Sequence, residues 1–193
     1  RHVCSFFEAY WQDKFSNNAL PLRVGNDVAS INEVMAVIEI LSSRREYTKA
    51  SPFVVLLGTG DHEVTASWTD PHGSVYQTTL GITHSNISFI GQGIGETTIL
   101  GGIATCEQQN ITLKQLTVTN TNGNGIEMYG AVVELVDIES TNCRSRGIHV
   151  SITAPFGIGS TPSQLVATRC EMSNNGQYGL SIFNSNNNIP HNV

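Results

Sequence analysis

The chain has 193 residues and a formal net charge of −6, with 39% hydrophobic and only 13% charged residues. This length allows one domain with a hydrophobic core, and the negative charge argues against nucleic acid as a partner. No apolar run reaches the roughly 18 residues that a membrane-spanning helix needs, so we predict no membrane span.

Residues 1–52 are predicted to form a cap at one end of the fold. Aromatic residues recur every three or four positions in residues 1–18, which favours a short amphipathic helix. A longer helix is predicted over residues 28–46, where Ser30 and Glu33 have the spacing of a capping box. The apolar stripe of this helix consists of Val28, Ile31, Val34 or Met35, Ile38 and Leu41.

A repeated pattern organises the chain between residues 102 and 182. An Asn, four variable residues, a Gly and then alternating aliphatic residues occur at Asn120–Met128, Asn142–Val150 and Asn174–Ile182. Each unit also contains a run with period-two alternation, at residues 111–118, 132–138 and 165–172, which is typical of β-strands. Repeats of this length predict a solenoid. We expect Asn120, Asn142 and Asn174 to form a structural ladder of buried turn residues, because Asn tolerates sharp bends.

The stretch before these repeats carries a resemblance to a known family. A helix is followed by a strand ending in Gly-x-Gly-x-x-x-Val at residues 58–64, and then by Asn-Ile-x-Phe-Ile-Gly-x-Gly-x-Gly-x-Thr-x-Ile at residues 86–99. This arrangement resembles the opening of a right-handed parallel β-helix of the pectin-lyase-like superfamily. The resemblance covers residues 28–182 and implies a fold without implying a particular activity.

The predicted fold class is therefore all-β: a single-stranded, right-handed parallel β-helix with an N-terminal capping α-helix. The β-helix is predicted to span residues 53–184. Residues 185–193 are polar and low in complexity, so we interpret them as a tail or as the start of a continuation.

One face of the predicted β-helix carries residues that could support chemistry. Glu127 and His149 fall at equivalent, outward-facing positions of successive repeats, so we expect them to be neighbours. With Arg146 they are the candidate catalytic residues, because a carboxylate and an imidazole can transfer protons. The predicted ligand-binding face comprises Glu127, Tyr129, Arg144, His149 and Phe183. A solvated face with one ordinary cross-strand pair is the alternative.

Other polar patterns have simple structural explanations beside the functional ones. An acidic stripe (Glu134, Asp137, Glu139, Glu171) is interpreted as the exposed side of the strand alternation, so no cofactor or metal is predicted, and Ca²⁺ binding through its oxygen ligands is the alternative. Asp70-Pro71-His72 is similar to a motif of alginate epimerases and is also ordinary turn chemistry. Asn86 and Asn110 begin formal glycosylation sequons, and the four cysteines lack metal-ligand spacing, although Cys143 could pair with a neighbouring repeat.

The enzymes of the resembling superfamily carry catalytic segments that this chain lacks. There is no Gly-x-Gln-Asp-Thr of pectin methylesterases, no Gly-His-Gly of polygalacturonases and no Asp cluster of pectate lyases. We therefore predict a non-catalytic scaffold, extracellular or on a cell or particle surface, that binds polysaccharide or packs against other protein chains. The alternative is a carbohydrate-active enzyme, a lyase or epimerase acting on uronate-containing glycans.

Overall fold

The computed structural model describes residues 21–43, 45–70, 73–152, 162–183 and 191–192. The predicted N-terminal amphipathic segment (1–18), His72 and most of the polar tail lie outside these described residues. Seventeen strands and one α-helix are formed within them. The strands are β1 (Leu22–Arg23), β2 (Phe53–Leu56), β3 (Gly60–Glu63), β4 (Trp68–Thr69), β5 (Val75–Tyr76), β6 (Thr79–Ile82), β7 (Ile87–Ile90), β8 (Thr97–Leu100), β9 (Gly102–Cys106), β10 (Ile111–Thr119), β11 (Ile126–Tyr129), β12 (Val132–Thr141), β13 (Arg146–Ser151), β14 (Gln164–Thr168), β15 (Glu171–Ser173), β16 (Tyr178–Phe183) and β17 (His191–Asn192).

The helix α1 (Val34–Ser42) is shorter than the predicted 28–46 and is preceded by a 3-10 turn, Ile31–Glu33. The predicted apolar stripe is buried in the same core as the strands. The residues before it are held in a turn instead, because the amides of Asn26, Asp27 and Val28 all donate to the carbonyl of Arg23. The Ser30 side chain makes no capping hydrogen bond.

The strands form two large sheets in which nearly all pairs are parallel. The first has nine strands, with the path β1-β2-β7-β10-β12-β14 and with β3, β8 and β15 alongside, and the second has the order β6-β9-β11-β13-β16-β17. Only β17, at the end of the second sheet, pairs antiparallel with its neighbour within these two sheets as described. The fold is therefore all-β with long parallel sheets. The strands β4 and β5 form a separate two-stranded hairpin, which is not hydrogen-bonded to either sheet as a strand.

The first sheet curls because its long strands bend in the middle. The first half of β10 pairs with β7 and its second half with β8, and the bend lies at Gln115, whose φ is 55°. The register-equivalent bends are at Asp137, within β12, and at Arg169, between β14 and β15, with φ of 54° and 52°. A salt bridge joins these two side chains, with an Arg169 Nη2 to Asp137 Oδ2 distance of 2.8 Å. Curled parallel sheets of this kind are compatible with a β-helix.

The predicted asparagine ladder is not formed as expected. Asn120 is buried, at 2% exposure, and its Nδ2 donates to the carbonyl of Asn124 at 2.7 Å. Asn142 and Asn174, whose backbones are left-handed (φ 54° and 53°), are exposed. Asn175 takes the inward position instead, and its Oδ1 accepts the Cys143 amide at 3.0 Å.

An amide ladder does exist at another bend. Asn110 Nδ2 donates to Asn86 Oδ1 at 2.8 Å, and Asn86 Nδ2 donates to the carbonyl of Tyr47 at 2.7 Å. Both residues have left-handed backbones, with φ of 57° and 61°. The asparagines of the two formal sequons therefore act as hydrogen-bonded turn residues in this structure.

The glycines of the repeat lie where neighbouring backbones approach closely. A Cβ atom at Gly125 would lie 2.7 Å from the carbonyl oxygen of Gly147, and one at Gly147 would lie 2.7 Å from that of Gly179. Real Cβ atoms do not approach backbone oxygens this closely, so the repeat requires glycine at this position.

The described cysteines Cys106, Cys143 and Cys170 are all unpaired, so Cys143 does not form the pair with a neighbouring repeat that the sequence left open. Cys143 is buried, with its Sγ 3.8 Å from Ser140 Oγ. Within the described part of the chain, no helix has the length and apolar character required to cross a membrane.

Candidate functional site

The β4–β5 hairpin covers the outer face of the second sheet. Trp68 and Tyr76 pair across the hairpin with ring centroids 5.3 Å apart, and the Trp68 indole also stacks on Tyr129 of β11. The indole fits there because Gly81 lies beneath it: a Cβ at Gly81 would lie 1.9 Å from Trp68 Cδ1. The turn of the hairpin is held by Asp70, whose Oδ1 accepts the Ser74 amide at 2.8 Å.

Glu127 and His149 stand directly opposite each other on β11 and β13, as the repeat predicts. The register extends along the sheet through Gly81, Ala104, Glu127, His149 and Ser181. The face is not solvated at these positions, however, because Glu127 is only 5% exposed and His149 only 9%. The two side chains predicted to face solvent are thus enclosed.

A chain of polar contacts links the hairpin to Glu127. Glu127 Oε1 accepts hydrogen bonds from Asn124 Nδ2 at 2.6 Å and from the Tyr129 hydroxyl at 3.1 Å. The Tyr129 hydroxyl oxygen lies 3.3 Å from that of Tyr76, and the Tyr76 hydroxyl lies 3.4 Å from Asp70 Oδ2. Two carboxyl groups are therefore connected through two phenols.

Burial changes the protonation equilibria of this cluster. Desolvation raises the pKa of Glu127, although the hydrogen bonds from Asn124 and Tyr129 and the charge of Arg146 act against it. Burial, followed by the Glu127 charge, also raises the pKa of Tyr129. Burial and then the Arg146 charge lower the pKa of His149 to about 4, so its imidazole is neutral at pH 7.

Two nitrogen atoms of this cluster are buried without a hydrogen-bond partner: His149 Nδ1 and Arg146 Nε. Such atoms are rare in folded proteins, because an unpaired buried polar group costs about 1–3 kcal/mol. They fall on two of the three candidate catalytic residues and mark this face as chemically unusual.

An open groove of about 330 Å³ adjoins the buried cluster. It is lined by Tyr76, Asn122, Gly123, Asn124, Arg144, Ser145 and Gln177. Two of these residues also belong to the buried network, because Asn124 donates to Glu127 and Tyr76 contacts Tyr129. The groove thus presents amides, a hydroxyl, a guanidinium group and an aromatic ring to solvent above the Glu127 carboxyl.

The predicted site residues divide between these two environments. Arg144 lines the groove, whereas Glu127, Tyr129, Arg146 and His149 lie in the buried cluster beside it. Phe183 stands opposite Ser151 on β16 and does not line the groove.

Three residues that contribute to the site did not stand out in the sequence: Trp68, Tyr76 and Asn124. Asp70 was considered only as part of the Asp70-Pro71-His72 motif. Aromatic residues on both sides of an Asp-Pro turn are a hairpin pattern and could have identified Trp68 and Tyr76. Nothing in the sequence indicates where that hairpin docks.

Two members of the acidic stripe make separate contacts with other side chains. Thr117 Oγ1 donates to Glu139 Oε2 at 3.1 Å, and Asp137 is engaged by Arg169. Among the residues that the structure describes, no three His, Cys, Asp or Glu side chains are close enough to hold a metal ion. The Ca²⁺ alternative stays a prediction without a located site.

A relative with a known ligand would identify what the groove binds. Without one, the identification depends on the chemistry of the lining residues alone. Comparison with known proteins finds no matching family, no matching curated protein and no matching solved structure.

Proposed function

We propose that the chain is a right-handed parallel β-helix, similar to the pectin-lyase-like superfamily, that binds polysaccharide without catalysis on an extracellular, cell or particle surface. The observation that carries the binding role is the polar, aromatic-edged groove lined by Tyr76, Asn124, Arg144 and Gln177. The β-helix assignment is supported by parallel pairing that places Ile87, Ile111, Val133 and Leu165 in one register at steps of 24, 22 and 32 residues.

The lining chemistry suits a sugar chain. Amide and hydroxyl groups can donate to and accept from sugar hydroxyls, and the Tyr76 ring offers an apolar surface to a pyranose face. Arg144 is exposed and can bond a carboxylate through two N–H groups, which favours an acidic sugar. The groove is open along the surface, so a polymer can extend beyond it.

The buried position of Glu127 and His149 supports binding over catalysis. A general acid or base must lie within hydrogen-bond reach of the proton that it transfers. A polymer in the groove would contact Asn124 and Arg144, while Glu127 lies behind Asn124 with one oxygen already accepting two hydrogen bonds.

The test is retention of the purified chain on uronate-containing and neutral polysaccharides, with and without Ca²⁺. We expect Arg144→Ala to weaken retention on the acidic polymers about tenfold, because a charge-assisted pair contributes about 1.5–3 kcal/mol. Arg169→Ala is the matched control, since it removes the same charge from an exposed pair outside the groove. Equal losses in both variants, or no retention on any polymer, would contradict the proposal.

A carbohydrate-active enzyme is the second candidate, and the Glu127–His149 pair favours it. A carboxyl with a raised pKa beside a neutral imidazole has the protonation states of a general acid and a general base. The same incubations, followed for unsaturated products and reducing ends, separate the candidates. Product that disappears in His149→Gln would replace the scaffold role with a lyase or epimerase, and neither product nor retention would favour packing against other chains.

A further inference from the structure

The terminal strands β14, β15 and β16 leave the apolar interior open at one end of the stack. Their inward residues are half-buried or exposed, although the residues in register with them on the preceding strands are at most 4% exposed. The inward residues are Leu165, Ala167, Met172, Leu180 and Ile182, in register with Val133, Leu135, Ser140, Ile148 and Val150. An open apolar end favours contact with a partner, because exposed apolar surface is costly in water.

The backbone of β14 is also open along one side. No strand among the described residues pairs with that side, whereas β17 pairs with the end of the second sheet at Ser181 and Ile182. The Gln164 amide donates to the Ala131 carbonyl at 2.9 Å, towards β12. Because strand backbone groups alternate in direction, the amides and carbonyls of Leu165 and Ala167 point to the open side.

The open side of β14 lacks the features by which edge strands usually avoid pairing. Charged side chains and prolines serve that purpose in natural sheets. The strand reads Gln-Leu-Val-Ala-Thr and contains neither, and Val166 at its centre is 57% exposed. The strand is therefore suited to add a further strand through its backbone.

The order of residues in β14 makes it complementary to itself. In an antiparallel pairing of two copies centred on Val166, Leu165 of each copy lies opposite Ala167 of the other. These are the residues whose backbone groups are open, so both opposed pairs exchange two hydrogen bonds and no open amide or carbonyl of Leu165 or Ala167 is left over. On the inward face, each large Leu side chain then meets a small Ala.

The same symmetry brings the open interiors together. The two-fold axis of an antiparallel pair is perpendicular to the sheet, so the inward faces of both copies stay on the same side. The apolar ends that contain Leu180 and Ile182 therefore meet behind the paired strands, and their burial adds to the backbone hydrogen bonds.

We propose that β14 is a self-association surface at which two copies of this chain join end to end in an antiparallel, two-fold symmetric pair. A head-to-tail arrangement is matched less well, since β1, at the other end of the first sheet, has only the two residues Leu22–Arg23. The contact is confined to the end of the stack, so we expect a reversible dimer. Dimerisation through β14 does not require polysaccharide and goes beyond the proposed function.

Sedimentation equilibrium of the full chain between about 1 μM and about 1 mM tests the dimer. We expect the weight-average mass to rise from 20.9 kDa towards twice that value as the concentration increases. Val166→Lys should raise the dimer Kd at least about tenfold, because it places two ammonium groups opposite each other at the axis. Val75→Lys is the matched control and should leave the Kd unchanged, since Val75 is also 57% exposed but lies on β5.

Three results would overturn the proposal. They are a mass that stays at 20.9 kDa throughout this range, species larger than a dimer, and equal effects of the two lysine substitutions. Circular dichroism should be the same for both variants and the wild type, because both valines are exposed.

Disulfide formation tests the register without depending on the lysine variants. Val166→Cys places two thiols opposite each other at a non-hydrogen-bonded position, where side chains approach most closely, so mild oxidation should give a covalent dimer. Gln164→Cys lies on the same face of β14 but would be opposite Thr168 of the second copy. It should cross-link no more than the wild type, which has four cysteines of its own. Equal cross-linking of the two cysteine variants, or no cross-linking of Val166→Cys, would overturn the proposed pairing.

Discussion

At the scale of single residues, the contact between Gly81 and Trp68 fixes the hairpin on the sheet. We expect Gly81→Ala to expel the indole, because the new Cβ would lie 1.9 Å from Trp68 Cδ1. Overpacking of this kind costs about 1–3 kcal/mol, measurable as a lower free energy of unfolding in urea, together with a change in tryptophan fluorescence.

Gly58→Ala is the matched control for this substitution. No heavy atom lies within 4 Å of a Cβ at Gly58, and its φ is outside the left-handed range, so the free energy of unfolding should not fall. A loss in Gly58→Ala equal to that in Gly81→Ala would mean that the indole contact is not the cause.

Individual site residues differ in whether the sequence could predict their positions. The repeat period correctly placed Glu127 opposite His149, because register follows from alternation. The same period says nothing about what covers that face. Trp68, Asp70 and Tyr76 lie far upstream in the chain, and their docking depends on a shape match with Gly81 that leaves no periodic pattern.

At the scale of elements, the Asn32 side chain joins the helical segment to the first sheet. Its Nδ2 donates to the carbonyl of Glu63 at 2.9 Å, and its Oδ1 accepts the amides of Thr65 at 2.9 Å and Ala66 at 3.1 Å. One amide side chain thus satisfies the backbone groups where β3 ends, in the way that a neighbouring strand would.

Replacing Asn32 by Ala should lower the free energy of unfolding by about 1–3 kcal/mol, because backbone groups lose their partners. Ser30→Ala should lower the free energy of unfolding by only a few tenths of a kcal/mol, because the Ser30 side chain makes no capping hydrogen bond. A serine that caps a helix contributes about 1 kcal/mol. Chemical denaturation of both variants checks this, and a larger loss in Ser30→Ala would restore the predicted capping box.

Element type was easier to predict than element boundaries. The alternating runs at 111–118 and 132–138 are β10 and β12, because alternation and β-branched residues act locally. The predicted strand at 165–172 is divided at Arg169, and the helix starts later than its apolar stripe. Both differences arise from backbone conformations, a left-handed bend and a turn on the Arg23 carbonyl, that side-chain periodicity does not encode.

At the scale of the whole molecule, burial falls towards the C-terminal end of the stack. Phe53, Ile87, Ile111 and Val133 form one in-register inner column and are buried. Leu165, the next member, is only half-buried. The core is therefore closed in the middle strands and partly open at β14.

Replacing residues of this column by alanine should give losses of stability that follow their burial. We expect Ile111→Ala to cost about 3–4 kcal/mol, within the range for a fully buried aliphatic residue, and Leu165→Ala to cost about 1 kcal/mol. Equilibrium unfolding in urea, with the same m-value for both variants, measures the difference. Equal losses would mean that β14 is covered as fully as β10.

The column of glycines at Gly125, Gly147 and Gly179 sets the unit in which this protein can change in length. Each glycine meets the backbone of the next, so the segment between two of them must end at the same place in the register. Duplicating or deleting the 22 residues from Gly125 to Arg146 would keep every strand in its pairing, whereas a change of any other size must be taken up in a loop, as the step of 32 residues to Gly179 already is. The two sheets could therefore gain or lose strands in steps of one 22-residue segment, Gly125 to Arg146, without a change in the register of the remaining strands.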